Sequence, residues 1–62
     1  MKIKIQLSNM SDDASIEHII SVLQLAIEKS KHIIQEDKLG SATMMVDKDN
    51  TMCIVEINKK FF

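Results

Sequence analysis

The sequence has no proline, tryptophan, tyrosine or arginine, and it has one glycine and one cysteine. Phosphate-cradling loops and dinucleotide-binding fingerprints need several glycines, so nucleotide chemistry of that kind is excluded. The lone Cys53 cannot close a disulfide within the chain, which predicts a reducing, cytoplasmic setting. The two aromatic residues, Phe61 and Phe62, are terminal, so the body of the chain lacks the stacking aromatics of single-strand nucleic-acid readers.

The sequence also lacks an excess of either sign of charge. Eight lysines stand against nine acidic residues, for a formal net charge of -1. No basic excess favours phosphate backbones or anionic lipid, so nucleic acid is not expected as a partner. No apolar run approaches the ~20 residues of a membrane span or the apolar core of a signal peptide. We therefore expect no membrane partner and no secretion.

The chain is 62 residues long and 45% hydrophobic. That composition is typical of a globular protein, and the length predicts a single small domain over residues 1–62. A chain this short buries only about 60% of the surface that its unfolded form exposes. Self-association is a common remedy, so a homodimer is expected.

Hydrophobic periodicity predicts one helix and three strands. Residues 2–7 alternate polar and apolar, which indicates a half-buried strand. From about 13 to 38 the apolar spacing is helical, with Ser11, Asp12 or Asp13 available to cap its start and with Lys38 and Gly40 marking its end. Two more strands are predicted on either side of a polar turn, and they span Ser41 to Asp47 and Thr51 to Asn58.

This order predicts an α+β fold of two layers, β-α-β-β, with one long helix packed on a three-stranded antiparallel sheet. A right-handed crossover leaves room for the third strand in the middle, so the spatial order is 1-3-2. In the hairpin we expect Val46 to pair with Thr51. The sheet face under the helix is predicted to contain Ile3, Ile5, Leu7, Ala42, Met44, Cys53, Val55 and Ile57.

The helix carries more apolar residues than one sheet face needs. One arc suffices to cover the sheet and consists of Ile16, Ile20, Leu23, Ile27 and Ile34. The remaining apolar residues predict a dimer interface of Ile19, Val22, Leu25, Ala26 and Ile33. Two antiparallel helices would cross there at the small Ala26. About 26 helical residues, ~39 Å, would also overhang a seven-residue strand of ~23 Å. Alternatively, the chain covers this flank itself, with Phe61 and Phe62 folded back.

The outer sheet face is predicted to carry an apolar patch among polar residues. Met45, Met52 and Ile54 are expected there, and methionine adapts well to irregular partner surfaces. We interpret these three residues, with Phe61 and Phe62, as a partner-binding set. Two alternatives stay open: scattered apolar residues are normal on protein surfaces, and the two phenylalanines could instead close the core.

No residue set predicts catalysis, a metal site or a cofactor. His18 and His32 lie fourteen residues apart on the helix, roughly 21 Å, so they could share a metal only across a dimer. Cys53 is expected on the inward face, where cysteine behaves as a small apolar residue. The acidic pair Asp12 and Asp13 is typical of a helix start. An enzyme would need a pocket formed between subunits, so we expect none.

The leading functional hypothesis is a small non-enzymatic protein-binding module, a homodimer that acts as a steric inhibitor or modulator of an unidentified protein. Small cytoplasmic domains without catalytic residues resemble the accessory proteins of bacteriophages and mobile elements. That class-level resemblance implies a host enzyme or a defence system as the target. The alternative is a dimeric nucleic-acid-associated regulator that uses the Lys-rich strand ends, with Lys2, Lys4, Lys59 and Lys60.

Overall fold

A computed structural model describes residues 1–59 of the chain. Its elements are β1 (Lys2–Ser8), α1 (Ile16–Gln35), β2 (Gly40–Lys48) and β3 (Thr51–Lys59). The strands form one antiparallel sheet in the order β1-β3-β2. The predicted α+β class, element order and strand order are thereby confirmed. Phe61 and Phe62, predicted to bind a partner or close the core, lie outside the described residues.

The β2–β3 hairpin closes through a two-residue turn. Asp49 and Asn50 have φ angles of 50° and 68°, and two consecutive positive φ values are characteristic of a type I′ turn. Val46 consequently pairs with Cys53, two residues away from the predicted partner Thr51. The predicted register was wrong because both strands continue further into the turn than a four-residue loop allows. A shift of two keeps every side chain on its predicted face.

The helix is shorter than predicted. Ser15, rather than a residue from 11 to 13, caps its start, and the Ser15 hydroxyl accepts a hydrogen bond of 3.1 Å from the backbone N–H of His18. Glu36 caps its end, and the Glu36 N–H donates to the carbonyl of His32. At 20 residues the helix is ~30 Å long, which equals a nine-residue strand, so the predicted overhang is absent.

The arc of the helix that faces the sheet is the one predicted to form a dimer interface. Val22 and Ala26 have no exposed surface, and Ser30, one turn further, is also buried. Small residues at 26 and 30 let the helix axis approach the sheet closely, which explains why this line points inward. The assignment of Val22 and Ala26 to an interface between copies is therefore wrong. Of the other three residues of that set, Leu25 and Ile33 pack against the core and Ile19 is half-buried.

The core lies between the helix and strands β2 and β3. Its buried apolar residues are Val22, Ala26, Val46, Cys53, Val55 and Ile57. No Cα of the helix lies within 8 Å of a Cα of β1. As a result Ile3 and Ile5, predicted to be covered, keep 43% and 40% of their surface exposed. The prediction for the inner sheet face is correct for β3 and wrong for this part of β1, because the helix is displaced towards the β2 edge.

Candidate protein-interaction surfaces

The sheet brings together the apolar residues predicted for its outer face. Met45 on β2 lies directly opposite Ile54 on β3. Met52 is the next outward residue of β3 and pairs with Asp47. Met45 is 63% exposed, whereas the other two are half-buried among their neighbours. We call Met45, Met52 and Ile54 the outer patch.

Polar residues border the outer patch at one end of the sheet. Lys4 pairs with Glu56, and Lys2 pairs with Asn58. These four side chains line a shallow cleft of about 220 Å³. Because Glu56 shares this face with the two lysines, this end of the face is mixed in charge and does not form a basic groove.

A second apolar surface runs along the helix. Ile16, Ile20 and Ile27 keep 62%, 46% and 55% of their surface exposed, although they were predicted to face the sheet. That prediction was wrong, since the sheet takes the neighbouring arc. Half-buried Leu23 and Ile34 continue the same line, and Ile34 also packs against the core, as predicted. We call these five residues the helix flank.

The two histidines of the helix, His18 and His32, have different surroundings. His18 places its Nε2 2.9 Å from the hydroxyl of Thr51, a residue that is 2% exposed at the start of β3. Nearby, the side-chain amide of Asn9 donates a bond of 2.7 Å to the carbonyl of Asn50. These two bonds tie the helix start and the β1–α1 connection to the hairpin turn. His32 is exposed near the other end of the helix.

Cys53 lies at the centre of the core with no exposed surface. Burial raises the pKa of its thiol, because the thiolate would lose its hydration there. A thiol in this environment is a poor nucleophile, and it packs as a small apolar side chain.

We expect the thiol of Cys53 to be unreactive towards Ellman's reagent in the folded chain and fully reactive in guanidinium chloride. A Met45→Cys variant, with its added thiol at an exposed position, should react at once at that site and serves as the control. The raised pKa also predicts that stability falls as pH rises above about 8.5, where the thiol of the unfolded chain begins to ionise. Rapid labelling of the folded wild type would contradict the buried position.

A cleft of about 210 Å³ lies where the helix ends. Its lining includes Ile33, Glu36, Leu39 and Lys59, and the Lys59 ammonium donates a hydrogen bond to the carbonyl of Glu36. Across residues 1–59, no three His, Cys, Asp or Glu side chains cluster as metal ligands would. Within the same range, the single helix is too polar to span a membrane.

Comparison of the chain with protein-family models, with curated proteins and with solved structures finds no match. Any functional assignment therefore depends on the two apolar surfaces and their neighbours.

Proposed function

We propose that the chain is a cytoplasmic, non-enzymatic protein-binding module that acts as a homodimer and sterically inhibits or modulates another protein. The outer patch carries this proposal. It places Met45, Met52 and Ile54 side by side on a sheet face that could have been wholly polar. Exposed apolar clusters rimmed by polar residues are typical of protein-binding surfaces, and methionine suits them because its side chain is unbranched and polarisable.

A module of this small size, without catalytic residues, is proposed to act by covering part of its partner's surface. The three-stranded sheet presents one face that the helix does not cover, and a partner surface bound to that face is closed to other molecules. By the class-level resemblance to accessory proteins of phages and mobile elements, the partner is proposed to be a host enzyme or a defence protein. Lys2, Lys4 and Glu56 beside the patch supply polar contacts at its rim.

Substituting Ile54→Asp should weaken partner binding by at least tenfold, because a carboxylate at the patch must be desolvated on binding. Nuclease-treated lysate is passed over the immobilised wild type and variants, the retained protein is identified and purified, and its affinity is measured by calorimetry. Asn58→Asp is the matched control, since it adds the same charge on the same face of the same strand, about 13 Å along β3 from Ile54. A purified partner that binds Ile54→Asp as tightly as the control would contradict the proposal.

The alternative function, a nucleic-acid-associated regulator, draws on the Lys-rich strand ends. The structure separates these lysines: Lys2 and Lys4 lie on the outer sheet face around Glu56, whereas Lys59 bonds a carbonyl at the end of the helix. Lys60 lies outside the described residues. If nucleic acid were the partner, affinity would fall steeply with added salt, and the outer patch substitution would have little effect.

A further inference from the structure

The helix flank points to one side of the molecule, towards the β2 edge. Strands β1 and β2 both run antiparallel to β3, so α1 connects two parallel strands and the crossover is expected to be right-handed. Viewed from the helix start, successive residues turn clockwise as the helix recedes. The flank isoleucines lie about 100° clockwise from the buried line of Val22, Ala26 and Ser30. In the same view, with the sheet below the helix, a clockwise turn from the sheet-facing line leads to the left. A right-handed crossover places β2 on that side.

The β2 edge is also the unprotected edge of the sheet. From Gly40 to Val46 it carries neither charge nor proline, and its pairing with β3 continues without a bulge. The opposite edge, β1, carries Lys2 and Lys4 on its outer face. Lysine is one of the devices that blunt a free edge against pairing, so the sequence protects β1 and leaves β2 open to another strand.

The position of the helix suits strand pairing at β2 and at no other edge. The helix packs against β2 and β3, so its axis lies about half a strand spacing from β2. If two copies paired β2 to β2 about a two-fold axis, the helix axes would be two strand spacings apart, ~10 Å. Packed helices lie 8–10 Å apart. Pairing through β1 would separate the axes by ~19 Å and leave both flanks uncovered.

The charges along the flank match an antiparallel pair. Exposed Glu17, Gln24 and Lys31 follow one another at intervals of seven residues on the solvent side of the flank. In an antiparallel arrangement centred near residue 24, Glu17 of each copy faces Lys31 of the other, which gives two such contacts. Gln24 of one copy faces Gln24 of the other. A parallel arrangement would place like charges together. The seam beneath has the four-three spacing of interlocking helices, from Ile16 through Ile20, Leu23 and Ile27.

We propose that a second copy of this chain binds at the β2 edge, forming a continuous six-stranded antiparallel sheet with two antiparallel helices packed flank to flank on one face. The exposed parts of Ile16, Ile20 and Ile27 alone amount to on the order of 300 Å² of apolar surface per copy. The nine-residue edge and the flanking polar residues add to this area, and a specific complex needs on the order of 800 Å² per partner. This inference deepens the homodimer of the proposed function and uses a different face from the outer patch.

The first test is the solution mass of the wild type and two variants, by light scattering with refractive-index detection because the chain lacks tryptophan and tyrosine. The wild type should have twice the chain mass of 7.1 kDa. Ile27→Glu should weaken association at least a hundredfold, whereas Lys29→Gln, with the same change of net charge off the flank, should remain dimeric. A monomeric wild type, or a dimer unaffected by Ile27→Glu, would overturn the proposal, and Ile54→Asp would still test the outer patch separately.

The second test reverses charges and does not depend on Ile27→Glu remaining folded. Glu17→Lys alone and Lys31→Glu alone should each raise the dimer dissociation constant roughly threefold to thirtyfold, since each creates two like-charge contacts. The double variant should restore the wild-type value. If both single variants left the dissociation constant unchanged, as in a parallel pair, where each reversal only exchanges one like-charge contact for another, the antiparallel arrangement would be wrong.

Hydrogen exchange of the backbone amides then tests the sheet. In the proposed dimer all amides in the middle of β2 are hydrogen-bonded, because β3 takes one side and the second β2 the other. We expect uniform slow exchange from 42 to 46 at concentrations where the dimer forms. Fast exchange at alternate residues would show a free edge and would reject the continuous sheet.

Discussion

Ala26→Glu is expected to abolish folding. The Ala26 side chain has no exposed surface and lies in the core between the helix and the sheet. A glutamate there must displace core side chains and bury a carboxylate without a cation, which costs several kcal/mol. A domain of this size has on the order of 3–5 kcal/mol of stability, so the variant should show no cooperative unfolding transition by circular dichroism at any temperature.

The neighbouring Ile27→Glu supplies the control for that result. It introduces the same charged side chain one residue later, on the flank, where the isoleucine is already 55% exposed. Its helical content should be close to that of the wild type, although its association should be lost. If Ala26→Glu folded and Ile27→Glu did not, the helix would be rotated by about 100° from the arrangement described here.

Sequence alone predicted the elements of this fold well. The alternation in residues 2–7 and the helical spacing after 15 are period signals that depend only on one buried face per element. Strand order followed from the handedness of the crossover and from the β-rich composition of residues 53–57. These arguments need no knowledge of side-chain packing, which is why they hold.

The choice between the two apolar arcs of the helix could not be made from periodicity. Both arcs repeat with helical spacing, and the arc with the larger side chains was assigned to the sheet. The structure uses the arc with Ala26 and Ser30, because small residues allow the backbone of the helix to approach the sheet. The Ser30 hydroxyl remains satisfied within the helix by donating to the carbonyl of Ala26. The sequence does contain one signal that favours the correct arc. Ala26 and Ser30 are small residues spaced four apart, and such spacing permits close packing.

The hairpin register depended on turn chemistry that composition leaves ambiguous. A two-residue type I′ turn usually contains glycine, and here Asp49 and Asn50 adopt positive φ instead. Asparagine and aspartate tolerate that conformation better than other non-glycine residues. The three residues of the outer patch stay on the predicted face, because the register shift is an even number of residues. Their cross-strand partners change, and Met45 lies opposite Ile54 rather than Met52.

The two proposed surfaces reinforce one another. Met45 is on the edge strand at which the second copy is proposed to pair, close to the middle of β2. In the dimer the outer patches of the two copies would therefore adjoin across the two-fold axis and form one larger apolar surface. A symmetric surface of that kind favours a symmetric partner or two partner molecules. A loss of self-association should then weaken partner binding even with the outer patch intact.

Ile57→Ala should be far more damaging than Ile3→Ala, although the two residues are paired neighbours on the same sheet face. Ile57 is 2% exposed in the central strand beneath the helix, and Ile3 is 43% exposed on a strand that the helix backbone does not approach. Truncating a fully buried isoleucine costs about 2–5 kcal/mol, since it leaves a cavity. The partly exposed one should cost about 1 kcal/mol.

Guanidinium unfolding at one fixed chain concentration measures both variants, because a dimer links stability to concentration. Ile57→Ala is expected to be largely unfolded in buffer, and Ile3→Ala to unfold cooperatively at a slightly lower denaturant concentration than the wild type. Equal losses would mean that the helix covers β1 as well as β3. The axis would then lie near the centre of the sheet, and the ~10 Å helix separation that supports pairing at β2 would no longer follow.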